Sequence, residues 1–187
     1  MPEHQRGERL TWPAIFSTLI RTLTILFFIG HNVSMQTRAP VFLDVEIRDL
    51  PDLPVIHRYL LFREKTLNPD PVIRPAFRGL RERLNDLGLD PDTLLHVGVP
   101  ELADGQLVSY DCCIEFPLPD GKVDVKTLPG GHYAVLTVEK KPARIGPAIR
   151  AFRGDFLPEH GLVVDEERMV YEYYFKDTLE YCVPVHP

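Results

Sequence analysis

The chain has 187 residues, of which 44% are hydrophobic, and its formal net charge is −6 at pH 7. This length suits one domain, or one domain with an extension, and the apolar fraction is large enough to bury a core. The charge lacks the basic footprint of proteins that bind nucleic acid through phosphates, so direct binding of DNA or RNA is not expected. A neutral or cationic partner fits the sign of the charge better.

The N-terminal part differs in composition from the rest. The stretch from Trp12 to Val33 is strongly apolar, with Arg21 near its middle. We predict an N-terminal extension over residues 1–40, with a hydrophobic segment at 13–33, followed by one domain over 41–187. Three interpretations of the extension stay open: a true translation start at Met35, a membrane anchor, or a signal peptide or packed helix. The expected location is the cytoplasm, with membrane anchoring if residues 13–33 are native.

The remainder alternates between strand and helix patterns, divided by Pro and Gly. In the first half we predict strands at 45–51, 55–62, 94–99 and 109–116. The helix between the second and third strands is indicated by apolar residues at helical spacing, and Gly88 lies near its end. In the second half we predict strands at 123–129, 132–139, 169–175 and 181–185. A turn at Gly130 and Gly131 separates the first two, and a helix reaching Gly154 follows them.

The two halves resemble each other. The sequence VEIRDLP at 45–51 matches VDVKTLP at 123–129, with an offset of 78 residues. Both alternate apolar and charged side chains and end at Leu-Pro, which stops a strand and begins a turn. The predicted fold class is therefore α+β. We expect a tandem, pseudo-twofold repeat of two ββαββ-like modules with antiparallel sheets, and a ligand cleft between the modules.

The strand at 169–175 carries the most informative pattern. Side chains alternate faces on a strand, so Glu172 and Tyr174 share one face while Tyr171 and Tyr173 share the other. A carboxylate on an apolar, aromatic face is costly to bury without a partner. That partner is either structural or a ligand. We interpret Tyr171 and Tyr173 as residues that pack the sheet.

Five segments, in the same order, resemble the GyrI-like small-molecule-binding domains, which are also the effector-binding domains of AraC-type and multidrug-sensing transcription regulators. They are SYDCCIE at 109–115, VKTLPGGHYAVL at 125–136, FLPEHG at 156–161, YEYY at 171–174 and YCVPV at 181–185. The resemblance covers about Val41 to Val185. It implies two similar α/β modules with a pocket between them for flat or amphipathic molecules, often cationic.

The resemblance also implies which residues bind. The central glutamate of the family, which contacts cationic ligands, falls on Glu172. Its neighbours fall on Tyr174 and Tyr181, and Tyr110 is a further ligand-binding candidate. The chain departs from the family in having no helix-turn-helix, in carrying Phe156 where the family has Trp, and in its basic segment at 139–145.

The predicted function is a stand-alone protein that captures a hydrophobic or cationic organic molecule in a cleft centred on Glu172. One alternative is a hydrolase of reactive electrophiles, in which Glu172 would be catalytic. Another is a gyrase-inhibitor-like protein that binds an unidentified protein partner. No cofactor is expected, and no metal, because the seven histidines show no metal-binding spacing. We predict that the three cysteines are reduced core residues.

Overall fold

The computed structural model describes residues 42–62, 69–104, 106–117 and 123–186. Both helices and all eight strands of the sequence prediction are present in this part of the chain, although β5 and β7 are shorter than predicted. The strands are β1 (Asp44–Leu50), β2 (Leu53–Leu61), β3 (His96–Ala103), β4 (Gln106–Glu115), β5 (Lys126–Leu128), β6 (Gly131–Glu139), β7 (Tyr171–Tyr174) and β8 (Thr178–Pro184).

The strands form one antiparallel sheet in the order β1-β6-β8-β7-β3-β4-β2-β5. Only Pro51 and Asp52 join β1 to β2, yet these strands lie toward opposite edges of the sheet. The turn predicted at Gly130 and Gly131 also connects two strands that do not pair with each other. It joins β5 to β6, but β5 pairs with β2 and β6 pairs with β1. The two links meet where the Gly130 amide donates to Asp52 Oδ1 over 2.7 Å. The sheet therefore curls and brings its edges together.

The first helix spans Asp70–Asp86, so Gly88 lies near its end as predicted. Pro71 lies in its first turn, where the missing amide hydrogen has no helical acceptor. Gly88 follows the helix with φ of 77°, a left-handed conformation that favours glycine. The buried side of the helix carries apolar residues at intervals of three and four, namely Ile73, Ala76, Phe77, Leu80 and Leu84.

The second helix begins as the α-helix Pro142–Ala151, but the helical path does not stop near Gly154 as predicted. The chain continues as a π-helical segment, Phe152–Phe156, and one further helical turn, Leu157–Glu159. Gly154 is exposed, and apart from its chain neighbours and the backbone of its own helix no atom lies within 4 Å of the position a Cβ would take, so packing does not require a glycine there. Buried apolar residues on either side hold the segment against the core and outweigh the low helix propensity of glycine. The stop comes at Gly161, which has φ of 65°.

The two faces of the sheet bury separate clusters. The first helix packs on β2 and β4, the second on β6, and both share one apolar cluster with the sheet. Glu172 and Tyr174 lie on this helix-covered face. The opposite face, enclosed by the curl, holds Tyr171 and Tyr173 as predicted, together with Leu50, Leu53, Val55, Val97, Val99, Cys113, Leu128, Tyr133, Val135 and Cys182.

The predicted extension over 1–40, with its segment at 13–33, lies outside the described residues. Within the described ranges, no helix combines the length and apolar character needed to cross a membrane. The three cysteines are free and buried. Cys112 and Cys113 belong to the clusters on opposite faces, as alternation on a strand requires.

Candidate functional site

Glu172 lies in β7 near the middle of the sheet. Its register partners are Gly98 of β3 and Tyr181 of β8. The residue is only 2% exposed. A carboxyl group at this depth loses its hydration, so its protonation state and its hydrogen bonds decide whether it is tolerated.

Two tyrosine hydroxyls meet the carboxyl group of Glu172. Tyr110 Oη is 2.8 Å from Glu172 Oε2, and Tyr174 Oη is 2.6 Å from the same oxygen. The two hydroxyl oxygens are themselves 2.6 Å apart. The three oxygens thus form a closed triangle, which we call the hydroxyl ring. It contains three of the four predicted ligand-binding residues.

The electrostatics of the hydroxyl ring favour neutral groups. Burial raises the pKa of Glu172 above its ordinary value, while hydrogen bonds from Tyr174 and Tyr110 act in the opposite direction. Burial and the neighbouring carboxyl group also raise the pKa of both tyrosines well above 10. Among the described residues, Glu172 Oε1 has no hydrogen-bond partner. One oxygen of the acid is therefore left for a group that the protein itself does not supply.

Gly98 makes room for the hydroxyl ring, a role that the sequence analysis missed. A Cβ atom on Gly98 would lie 1.8 Å from Tyr110 Oη. The absence of a side chain lets the Tyr110 ring cross β3 and reach Glu172. The one available signal was a glycine inside a predicted strand, which often marks close approach of another group.

Tyr181, the fourth predicted residue, lies beside Glu172 but outside the hydroxyl ring. It is 5% exposed, and its hydroxyl receives a hydrogen bond from Arg153 Nη1 over 3.3 Å. Arg153 belongs to the π-helical segment and was missed because the helix was predicted to end there. Phe156, at the family's Trp position, stacks on Phe152 and His160.

His96 and Phe77 line the side of the site next to Tyr174, and neither was among the predicted site residues. We call these two residues the wall. His96 lies opposite Tyr174 in the sheet, and the Phe77 ring meets that tyrosine edge-on at 6.2 Å. His96 Nε2 is 3.3 Å from Arg81 Nη1. Burial lowers the pKa of His96 to about 4, so the histidine is neutral at pH 7. The wall is therefore aromatic and uncharged where it meets Tyr174.

Chemically, the site combines a buried acid, two phenolic hydroxyls and aromatic surface. Such a site suits an apolar molecule that brings either a positive charge or a hydrogen-bond donor to Oε1. In the described ranges, no three His, Cys, Asp or Glu side chains are grouped in a way that would hold a metal ion.

The sequence of residues 95–186 matches the model of one protein family, the GyrI-like small molecule binding domain. Residues 95–186 belong to this family. The GyrI-like domain thus includes β3 to β8 and all four predicted ligand-binding residues. β1, β2 and the first helix precede it in sequence, and the two strands belong to the same sheet.

Solved structures similar to this chain share the fold of the GyrI-like domain and its preceding strands. SAV2435 bound to tetraphenylphosphonium is 17% identical, covering 77% of this chain and 94% of its own, with a TM-score of 0.50. The C-terminal domain of EcmrR is 11% identical, covering 76% and 97%, with a TM-score of 0.57. A hydrolase from Listeria innocua is 13% identical, covering 76% and 91%, with a TM-score of 0.51. No curated protein matches the chain.

Proposed function

We propose that this protein captures hydrophobic or cationic organic molecules at Glu172. The observation that carries the proposal is the buried carboxyl group, whose Oε1 lacks a hydrogen-bond partner in the described part of the chain. Leaving such an atom unpaired costs about 1–3 kcal/mol, and a ligand charge or donor would recover that cost. The family of residues 95–186 supports a small-molecule ligand. The similar protein SAV2435 is bound to an organic cation.

The location of Glu172 also supports a tandem repeat with the ligand at its seam. Exchanging β1 with β5, β2 with β6, β3 with β7 and β4 with β8 reproduces the observed strand order in reverse. The centre of this symmetric order is the pairing of β3 with β7, where Gly98 faces Glu172. We infer two ββαββ modules that meet there, with the ligand between the sheet and the two helices.

Calorimetric titration with tetraphenylphosphonium tests the proposal. The wild type should bind the cation, and Glu172→Gln should bind it at least about tenfold more weakly, because the replacement removes the counter-charge. Glu180→Gln is the matched control, since Glu180 is a strand carboxylate that pairs with Arg48 on the opposite face. Binding that is equal in wild type and Glu172→Gln would remove Glu172 from the site.

A second candidate is hydrolysis of a reactive electrophile. One observation favours it: a carboxyl group with a raised pKa, hydrogen-bonded to Tyr110 and Tyr174, can act as a general acid. Turnover of a strained-ring alkylating agent, abolished in Glu172→Gln and retained in Glu180→Gln, would support this activity. Tight binding without turnover would leave capture as the function.

The cytoplasm remains the proposed location. Free, buried Cys112, Cys113 and Cys182 support it, because structural thiols persist in reducing compartments.

A further inference from the structure

The contacts of the hydroxyl ring indicate whether the carboxyl group of Glu172 is protonated. The ring has three oxygen–oxygen contacts, of 2.8, 2.6 and 2.6 Å. Tyr110 and Tyr174 bring one hydroxyl proton each. If Glu172 were ionised, two protons would have to serve three contacts, and one pair of oxygens would face each other with lone pairs alone. A third proton, on the carboxyl group, lets every oxygen donate once and accept once.

The groups around the hydroxyl ring supply no counter-charge to Glu172, which favours its protonated, neutral form. Within the described ranges no Lys, Arg or His forms an ion pair with Glu172, and its Oε1 receives no hydrogen bond. The cationic side chains bonded to residues beside the hydroxyl ring are engaged there: Arg153 donates to Tyr181, Arg81 to His96, and Lys140 to the carbonyl of Phe175. The titratable groups that line this face from β4, β8 and β3 are Cys112, Tyr181 and His96. Burial keeps all three neutral at pH 7.

We propose that this site exchanges one proton for one organic cation. The inference rests on the proposed function, since it concerns a ligand at Glu172. A permanent cation, such as a quaternary phosphonium or ammonium ion, has no hydrogen to donate and requires the carboxylate. The proton of the hydroxyl ring then leaves to solvent, and the carboxylate pairs with the cation. Both tyrosine hydroxyls then donate to the carboxylate, and the contact between their own two oxygens loses its hydrogen bond.

Neutral ligands follow a different route. A molecule with one O–H or N–H can donate to Oε1 of the protonated acid and leave the hydroxyl ring intact. Its binding releases no proton and does not vary with pH while Glu172 is protonated in the free protein. Affinity for a permanent cation should instead rise about tenfold per pH unit over the same range, because only the ionised fraction binds it. The site thus selects cations at higher pH.

Calorimetry with two probes tests the exchange. Tetraphenylphosphonium should release about one proton, measured from heats in buffers of different ionisation enthalpy, and its affinity should rise with pH between about 5 and 8. Triphenylmethanol, of similar shape but neutral, should release none. Glu180→Gln should reproduce both results, because Glu180 lies on the opposite face.

The possible outcomes separate the two proposals. If the cation binds through Glu172 without proton release and with constant affinity, the exchange is wrong and the binding function stands. If neither probe binds, or Glu172→Gln binds the cation as tightly as the wild type, the binding function fails and the exchange fails with it.

Infrared difference spectra of the ligand-free protein give an independent measurement. The C=O stretch of a protonated carboxyl group should be present in wild type and Glu180→Gln and absent in Glu172→Gln; its absence from the wild type would overturn the exchange.

Discussion

Gly98 faces Glu172 across β3 and β7, and the space where Gly98 lacks a side chain is filled by the hydroxyl of Tyr110. The ligand-binding candidates therefore depend on a residue that contributes no functional group. Tyr110 comes from β4, two strands away from β7, and it reaches the carboxyl group only by crossing β3 at this glycine.

Gly98→Ala should destabilise the protein by about 1–3 kcal/mol, the usual cost of overpacking a core. Its methyl group would lie 1.8 Å from Tyr110 Oη, which must move away from Glu172. Urea unfolding measures the loss. Gly79→Ala is the matched control, since no atom lies within 4 Å of its Cβ position in the first helix. The control should gain about 0.5–1 kcal/mol. Equal stability of the two variants would contradict this account of Gly98.

Tyr110→Phe should lower the free energy of unfolding by about 1–3 kcal/mol, because it deletes one oxygen of the hydroxyl ring and leaves buried groups short of partners. The comparison is Tyr59→Phe, which removes the hydroxyl of a tyrosine that is 55% exposed. That change should stay within about 0.5 kcal/mol of the wild type. Similar losses in both variants would show that the hydroxyl ring adds nothing specific to stability.

The sequence predicted the faces of β7 correctly, because alternation along a strand is local and needs only the neighbouring residues. The local pattern did not predict that Tyr110 contacts Glu172, because the two residues are 62 positions apart in the sequence. That pairing depends on strand order, and the order was not predictable from local pattern. Links as short as Pro51-Asp52 favour hairpins, whereas here they connect strands near opposite edges of the curled sheet.

The second helix shows a different limit of sequence analysis. Gly154 favours a helix end by intrinsic propensity, which is a weak effect that packing overrides. The buried residues Phe152 and Leu157 lie on either side of Gly154, and the helical path continues across it. Arg153 and its hydrogen bond to Tyr181 therefore lie in a part of the helical path that local propensity does not indicate.

His96 should make the protein sensitive to mild acid. Burial lowers its pKa to about 4, from an ordinary 6.5, and Arg81 opposes a further positive charge. Between these values the unfolded chain binds a proton that the folded protein excludes, so stability falls as pH falls, by up to about 1.4 kcal/mol per pH unit. Urea unfolding of wild type and His96→Gln at pH 7 and pH 5 isolates this effect. The wild type should lose more stability than the variant; parallel losses would rule out His96 as the cause.

Glu172 should produce the opposite dependence on pH. Its pKa is raised by burial, from an ordinary 4.5, so above pH 4.5 the folded protein retains a proton that the unfolded chain has released. The stability that this proton provides is complete below the unfolded pKa and is lost as pH rises toward the folded pKa, by up to about 1.4 kcal/mol per pH unit. Glu172→Gln has no proton to lose, and its amide NH2, placed where Oε2 lies, can donate to both tyrosine hydroxyls. In urea unfolding without ligand, the variant should therefore gain stability relative to the wild type as pH rises from about 5 to 8.

Because His96 is present in both proteins, its effect on stability cancels in the difference between them. A difference that stays constant with pH would mean that the carboxyl group has the same charge in the folded and unfolded protein, and the neutral acid would have to be abandoned.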